Sequence, residues 1–181
     1  MPITESSVTL NFPDNNYFRF ENCQGYRNLS HIKEMDVCWY DQENDTLYII
    51  ELKNWENSRL IEEDDPHISK EEIERNKKNI SEYRINELWK KSVDSVSMFT
   101  SILLNKPYSL KLQECIPFSI SVNTKIILLS IINWTESDST YISSINSQYK
   151  SKFNSYAKLF DIKTFLVLPK DKASEIFTWI S

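Results

Sequence analysis

Hydrophobic and polar positions change period along this chain. In YFRFENC, Tyr17 to Cys23, Phe18 and Phe20 alternate with Arg19 and Glu21, a strand pattern, and the QGYRN that follows is turn chemistry. Val37–Tyr40 and Leu47–Leu52 are two β-prone runs separated by the polar DQEND, which predicts a hairpin. An acidic connector lies between Asn57 and Pro66, with Pro66 suited to open a helix. Ser69 to Asn105 is then helical in character, with a break expected between Asn79 and Asn86. In its second half Leu88, Ser92, Ser95 or Val96, Phe99 and Leu103 recur at three and four, the stripe that packs a helix across a sheet. KIILLSII, Lys125 to Ile132, is continuously apolar, as in a strand buried on both faces. Tyr141 to Phe160 carries Ile142, Ile145, Tyr149, Phe153, Tyr156 and Phe160 at helical spacing, Lys163 to Leu168 is another strand, and Asp171 to Ile180 a closing helix. The first sixteen residues and Lys106 to Asn123 show no clear pattern. The order of elements predicts one α/β domain over residues 1–181, a mixed central β-sheet flanked by helices.

The hairpin carries the chemistry. A turn centred between Glu43 and Asn44 sets Tyr40 opposite Leu47, Cys38 opposite Ile49 and Asp36 opposite Glu51. Side chains alternate faces, so Asp36, Cys38, Tyr40, Leu47, Ile49, Glu51 and Lys53 share one face, with Met35, Val37, Trp39, Tyr48, Ile50 and Leu52 on the other. Both faces are apolar except at the end that holds Asp36, Glu51 and Lys53. Directly opposed cross-strand residues have Cβ atoms roughly 4.5–5.5 Å apart. Two carboxylates so placed repel unless a cation lies between them, and a hard divalent metal is the natural guest for oxygen ligands. The plainer reading is a salt bridge in which Lys53 neutralises Glu51 or Glu34.

Asp36 followed by Glu51-Leu52-Lys53, the only Glu-x-Lys in the chain, resembles the PD-(D/E)xK nuclease superfamily. The resemblance implies a restriction-endonuclease-like core, βββαβ with an added αβα, over roughly residues 17–168. It also implies a nuclease dependent on Mg²⁺ or Mn²⁺, with DNA preferred over RNA. Asp36, Glu51 and the Leu52 carbonyl would hold the metal, which lowers the pKa of a water and polarises the phosphate, while Lys53 orients that water and stabilises the transition-state charge. The rival expectation is a catalytically silent member of the same fold, a binding or assembly subunit. Many members place a further acid on a helix before the first strand; no such helix is evident here, and Glu21 and Glu34 are the available substitutes. Family helices after the (D/E)-x-K strand often send a polar residue to the site, for which Lys91 is the candidate, although a solvent-facing lysine is the better expectation from sequence. Two decoys compete poorly: Pro13-Asp14 lies far upstream in a polar loop, and Asp161-Ile162-Lys163 falls at a helix-to-strand junction.

Composition narrows the rest. Gly25 is the sole glycine, which excludes Gly-rich phosphate loops and dinucleotide-binding motifs. Cys23, Cys38 and Cys115 have no metal-ligand spacing, and with only His31 and His67 beside them neither a zinc site nor a disulfide is expected. His31 reads as a satisfied or exposed histidine. The N-terminus lacks a signal-like segment and no run approaches a membrane span, so the expectation is a cytoplasmic protein with no membrane association. The net charge of −5 is unevenly spread: residues 1–105 carry 12 basic against 20 acidic residues, and residues 106–172 carry 9 against 5. A grip on long duplex DNA needs more positive charge than this, so a small or single-stranded substrate, a homodimer or a protein partner is expected.

Overall fold

A computed structural model of the chain describes residues 2–55, 69–134 and 139–181, so the acidic connector lies outside the described residues. The central hairpin follows its pattern. Strand β4 (Val37–Asp41) pairs antiparallel with β5 (Thr46–Asn54), with Cys38 opposite Ile49 and Tyr40 opposite Leu47. Its turn is tied by Asp41, whose carboxylate accepts from the backbone N–H groups of Glu43 and Asn44. On one side β3 (Tyr17–Phe18) adds antiparallel to β4; on the other β6 (Lys125–Asn133) and β7 (Thr164–Pro169) continue β5 in parallel. The result is a five-stranded mixed sheet ordered β3-β4-β5-β6-β7 and flanked by helices.

The two faces of the sheet are covered differently. The face bearing Cys38, Leu47, Ile49 and Leu128 packs against α2 (Lys70–Leu103) and α4 (Ser139–Leu159), which bring Leu88, Val96, Phe99, Ile145 and Tyr149. The opposite face, with Val37, Trp39, Ile50, Leu52 and Ile131, lies under Val8, Leu10, Ala173 and Trp179. That cover comes from the patternless N-terminus, which forms a small separate sheet of β1 (Ile3–Glu5) and β2 (Val8–Leu10), and from α5 (Lys170–Ile176) with the residues after it. The last segment is not helical: Ile180 bridges to Leu10, and Thr9 and Ser181 exchange backbone hydrogen bonds. The closing helix predicted over 171–180 thus forms only as far as Ile176, which is exposed, and Phe177, Trp179 and Ile180 pack from the turn and bridge that follow it.

Four further expectations are revised. The first predicted strand stops at Phe18, and Phe20–Asn22 turns as a 3-10 helix into α1 (Gln24–Arg27), with Phe20 fully buried against Phe18 and Phe99. Helix α2 is unbroken through Asn79–Asn86: an interior Asn costs well under ~1 kcal/mol relative to Ala, and burial of Arg84, Ile85 and Leu88 carries the helix across. Met35 packs in the cluster under α2 rather than beside Val37, because the strand begins only at Val37 and alternation does not reach it. Finally, Cys23 and Cys115 form a disulfide, their Cα atoms 5.6 Å apart and their positions separated by 92 residues. Sequence spacing detects only local cysteine pairs, whereas this one is assembled by tertiary packing of α1 on α3 (Leu110–Gln113). Gly25 allows that contact: a Cβ there would lie 2.6 Å from the Lys111 carbonyl oxygen. Cys38, the remaining cysteine, is a buried free thiol in the core strand.

Candidate functional site

Glu51 is placed by two independent constraints. Pairing of β5 with β6, Glu51 opposite Ser130, fixes its backbone, and alternation turns its side chain under α2, where it is 0% exposed. Asp36 sits one residue before β4, just past the last paired residues, Val37 and Ile50. Segment 33–36 is pinned to α2 instead of the sheet: the Lys33 N–H donates to Asp94 Oδ2 at 2.9 Å, and the Met35 N–H donates to Ser95 Oγ at 2.9 Å. Asp36 can therefore turn its carboxylate across the end of β5, where Oδ2 accepts from the Leu52 N–H at 2.7 Å. The Leu52 carbonyl faces the same end and accepts from Ser6 Oγ at 3.2 Å.

The basic partners come from β5 and α2. Lys53 Nζ lies 3.0 Å from Glu51 Oε1 and 3.0 Å from Glu87 Oε1. Lys91 Nζ lies 3.1 Å from Asp36 Oδ1 and 2.7 and 2.9 Å from the two oxygens of Glu51. The order Asp36, Lys91, Glu51, Lys53, Glu87 is a chain of alternating charge running from the end of β4 to the flank of α2. Glu87 and Lys91 stand four residues apart on one helix face, the spacing that brings side chains together. Lys91 is thus not the solvent-facing lysine that sequence favours: its side chain is 15% exposed and turned onto both acids.

Burial decides the electrostatics. Desolvation first, and the charge of Asp36 second, push the Glu51 carboxyl up to about 7 against the pull of Lys91 and Lys53. For Lys91, burial pulls the ammonium down, but the charges of Glu51 and Asp36 outweigh it and hold the group above its ordinary value. Lys53 is raised likewise, burial being outweighed by Glu51 and Glu87. Both lysines are therefore firmly cationic. Glu34, at the rim, is raised by its burial and drawn down by its own backbone and by Lys91.

Two carboxylates converging on one cation, with a backbone carbonyl at the same strand end, form an oxygen-only donor set that fits Mg²⁺ or Mn²⁺. The ammonium of Lys91 lies where the two carboxylates converge. No third Asp, Glu, His or Cys completes a metal-holding cluster with the pair among the described residues. Glu21 pairs instead with Arg19 at 2.8 Å, and His31 is exposed in a left-handed conformation at φ 65°. The decoys are structural. Asp14 accepts from the Trp39 indole and the Asn16 N–H, and Asp161 pairs with its neighbour Lys163 on the surface.

Three neighbours are invisible to motif reading. Glu87 orders Lys53, Ser6 reaches Leu52 from the β1–β2 turn, and Arg19 Nε donates to the Asp36 carbonyl at 3.0 Å. Only Glu87 leaves a sequence signal, its four-residue spacing from Lys91. Comparison with protein-family models, curated proteins and solved structures finds no match. No helix among the described residues is long and apolar enough to cross a membrane.

Proposed function

We propose that this chain is a metal-dependent phosphodiesterase acting on nucleic acid, DNA in preference to RNA, built on a restriction-endonuclease-like core. The observation that supports this reading is that Asp36, Glu51 and Lys53, the residues that carry the PD-(D/E)xK resemblance, lie together at one end of the β4–β5 hairpin. Asp36, Glu51 and the Leu52 carbonyl would hold Mg²⁺ or Mn²⁺, which when bound supplies Lewis acidity toward the phosphate and a nucleophilic water at neutral pH. The Leu52 N–H holds Asp36 Oδ2, and Oδ1, which accepts from Lys91, would be the oxygen offered to the metal. Lys53 stays cationic between Glu51 and Glu87 and sets its ammonium to offset charge developing on the phosphate oxygens. Glu87 is a positioning residue, because it acts on Lys53. The acidic net charge implies a weak intrinsic grip on the phosphate backbone, so a homodimer or protein partner supplements it.

One observation favours a second reading, a catalytically silent module of the same fold that serves as a binding or assembly subunit. With Lys91 between the acids, the Asp36–Glu51 pair already holds a cation without an added metal ion. Cleavage of labelled single- and double-stranded DNA and RNA with Mg²⁺, Mn²⁺ or chelator separates the two. Under the first reading the wild type cuts only with metal, Glu51→Ala neither binds Mn²⁺ nor cuts, and Lys53→Ala binds Mn²⁺ without turnover. Wild-type rates from Lys53→Ala would overturn the assignment, and a folded wild type that neither cuts nor binds Mn²⁺ would favour the silent module.

A further inference from the structure

We infer that Lys91 is a resident counter-ion of the Asp36–Glu51 pair, which a divalent cation must displace in order to enter. This rests on the metal-dependent reading above and adds how metal entry is controlled. The ammonium has three hydrogens, and three carboxylate oxygens lie within 3.1 Å of it. Lys91 therefore commits its donors to the two side chains that a metal would need. The arrangement is built into the fold rather than a chance surface contact. Helix α2 is fixed around Lys91 by buried Leu88, by Ser92 bonded to Tyr149 of α4 at 2.7 Å, and by Ser95 bonded to the Met35 N–H of segment 33–36.

Fully buried Glu51 explains why such a cation is present. A buried carboxylate without a partner is strongly unfavourable, so the metal-free protein needs a positive charge at this point. An ammonium and a divalent ion held by the same oxygens would repel at a separation of a few ångströms, so the two exclude each other. Lys91 also has somewhere to go. Its four-carbon stem is flexible, it is partly exposed, and Glu34 is near enough to feel its charge. Glu51 keeps Lys53 when Lys91 leaves, and Lys53 keeps Glu87, so the exchange breaks only the two links that Lys91 itself makes, to Asp36 and to Glu51. Displaced toward the rim, the Lys91 ammonium becomes a free cation for an incoming phosphate.

The test is a calorimetric titration of Mn²⁺ into wild type, Lys91→Met and Lys91→Arg. A second readout is lysine acetylation of the wild type, mapped by mass spectrometry with and without saturating Mg²⁺. Groups around a metal site shift its affinity by about 10- to 100-fold, so Lys91→Met is expected to bind Mn²⁺ at least about tenfold more tightly than wild type. Lys91→Arg, which keeps the positive charge, should show no such gain. Lys91 should be protected from acetylation without metal and become reactive with Mg²⁺. Should Lys91→Met fold only when Mn²⁺ is present, the ion has taken the place of the ammonium and the inference holds. Equal Mn²⁺ affinity of wild type and Lys91→Met, with Lys91 still protected in Mg²⁺, would overturn the inference and leave the metal-dependent reading standing. Binding by Lys91→Met but not by wild type would show that the ammonium is never displaced, and would overturn both the inference and the nuclease reading. Absence of binding by all three proteins would defeat both.

Discussion

At the scale of single residues, the cluster is governed by where Glu51 puts its charge. The folded chain holds its carboxyl near 7, against an ordinary value of 4.5, because burial disfavours the anion and Asp36 repels it. The folded state then binds this proton more tightly than the unfolded chain does. The resulting contribution to stability is full below pH 4.5 and is lost as pH rises through 7. Glu51→Gln has no such titration. Wild type should therefore lose stability relative to Glu51→Gln between pH 4.5 and 7, read as denaturant midpoints across that window. Parallel profiles for the two proteins would mean that Glu51 titrates normally. The same residues show how far a motif reads. Glu-x-Lys announces Glu51 and Lys53, yet it says nothing of Lys91, whose role depends on a helix crossing the strand 40 positions later in the chain.

At the scale of elements, α2 positions the site as much as the hairpin does. It supplies Glu87 and Lys91 and, through Ser95, the hydrogen bond that holds segment 33–36 off the sheet. Ser95→Ala would leave the buried Met35 N–H without its acceptor, at a cost of about 1–3 kcal/mol. Because that segment aims Asp36, the substitution should also weaken Mn²⁺ binding although it touches neither acid. Urea denaturation and a Mn²⁺ titration check the two effects, and unchanged values in both would show that the segment is held elsewhere. The hairpin's register was legible because the turn chemistry of DQEND centres it between Glu43 and Asn44, and a one-residue slip would turn Glu51 to the opposite face. The ends were less legible: apolar residues of the C-terminal tail keep helical spacing but pair with β2 instead.

For the whole molecule, the sheet is clamped from both faces, and the far edge of the clamp is covalent. The Cys23–Cys115 bond ties the turn after β3 to the segment before β6 across 92 residues. Closing a loop of this length restricts the unfolded chain, so Cys115→Ser is expected to lower stability by about 2–4 kcal/mol. Guanidinium denaturation of protein purified without reductant measures this, and thiol labelling should find Cys38 reactive only after unfolding. Three reactive thiols in that unfolded protein would show that the pair is reduced. Disulfides persist in oxidising surroundings and are rare in the cytosol, so the bond weighs against the cytoplasmic expectation drawn from the N-terminus.

What the sequence determined by itself was local and periodic. Alternation over Val37–Leu52 defined a hairpin, its register and its two faces, and the apolar run at Lys125–Ile132 defined a buried strand. The helical stripe through Leu88 and Phe99 marked the element that would lie across them. Only the tertiary structure decided what met at the end of that sheet. Lys91 between Asp36 and Glu51, Ser95 under Met35, Ser6 on Leu52 and Cys23 on Cys115 are contacts between distant segments. Periodicity reports which face of an element is buried, whereas the partner of each buried polar group depends on how elements cross, and no local pattern encodes that crossing.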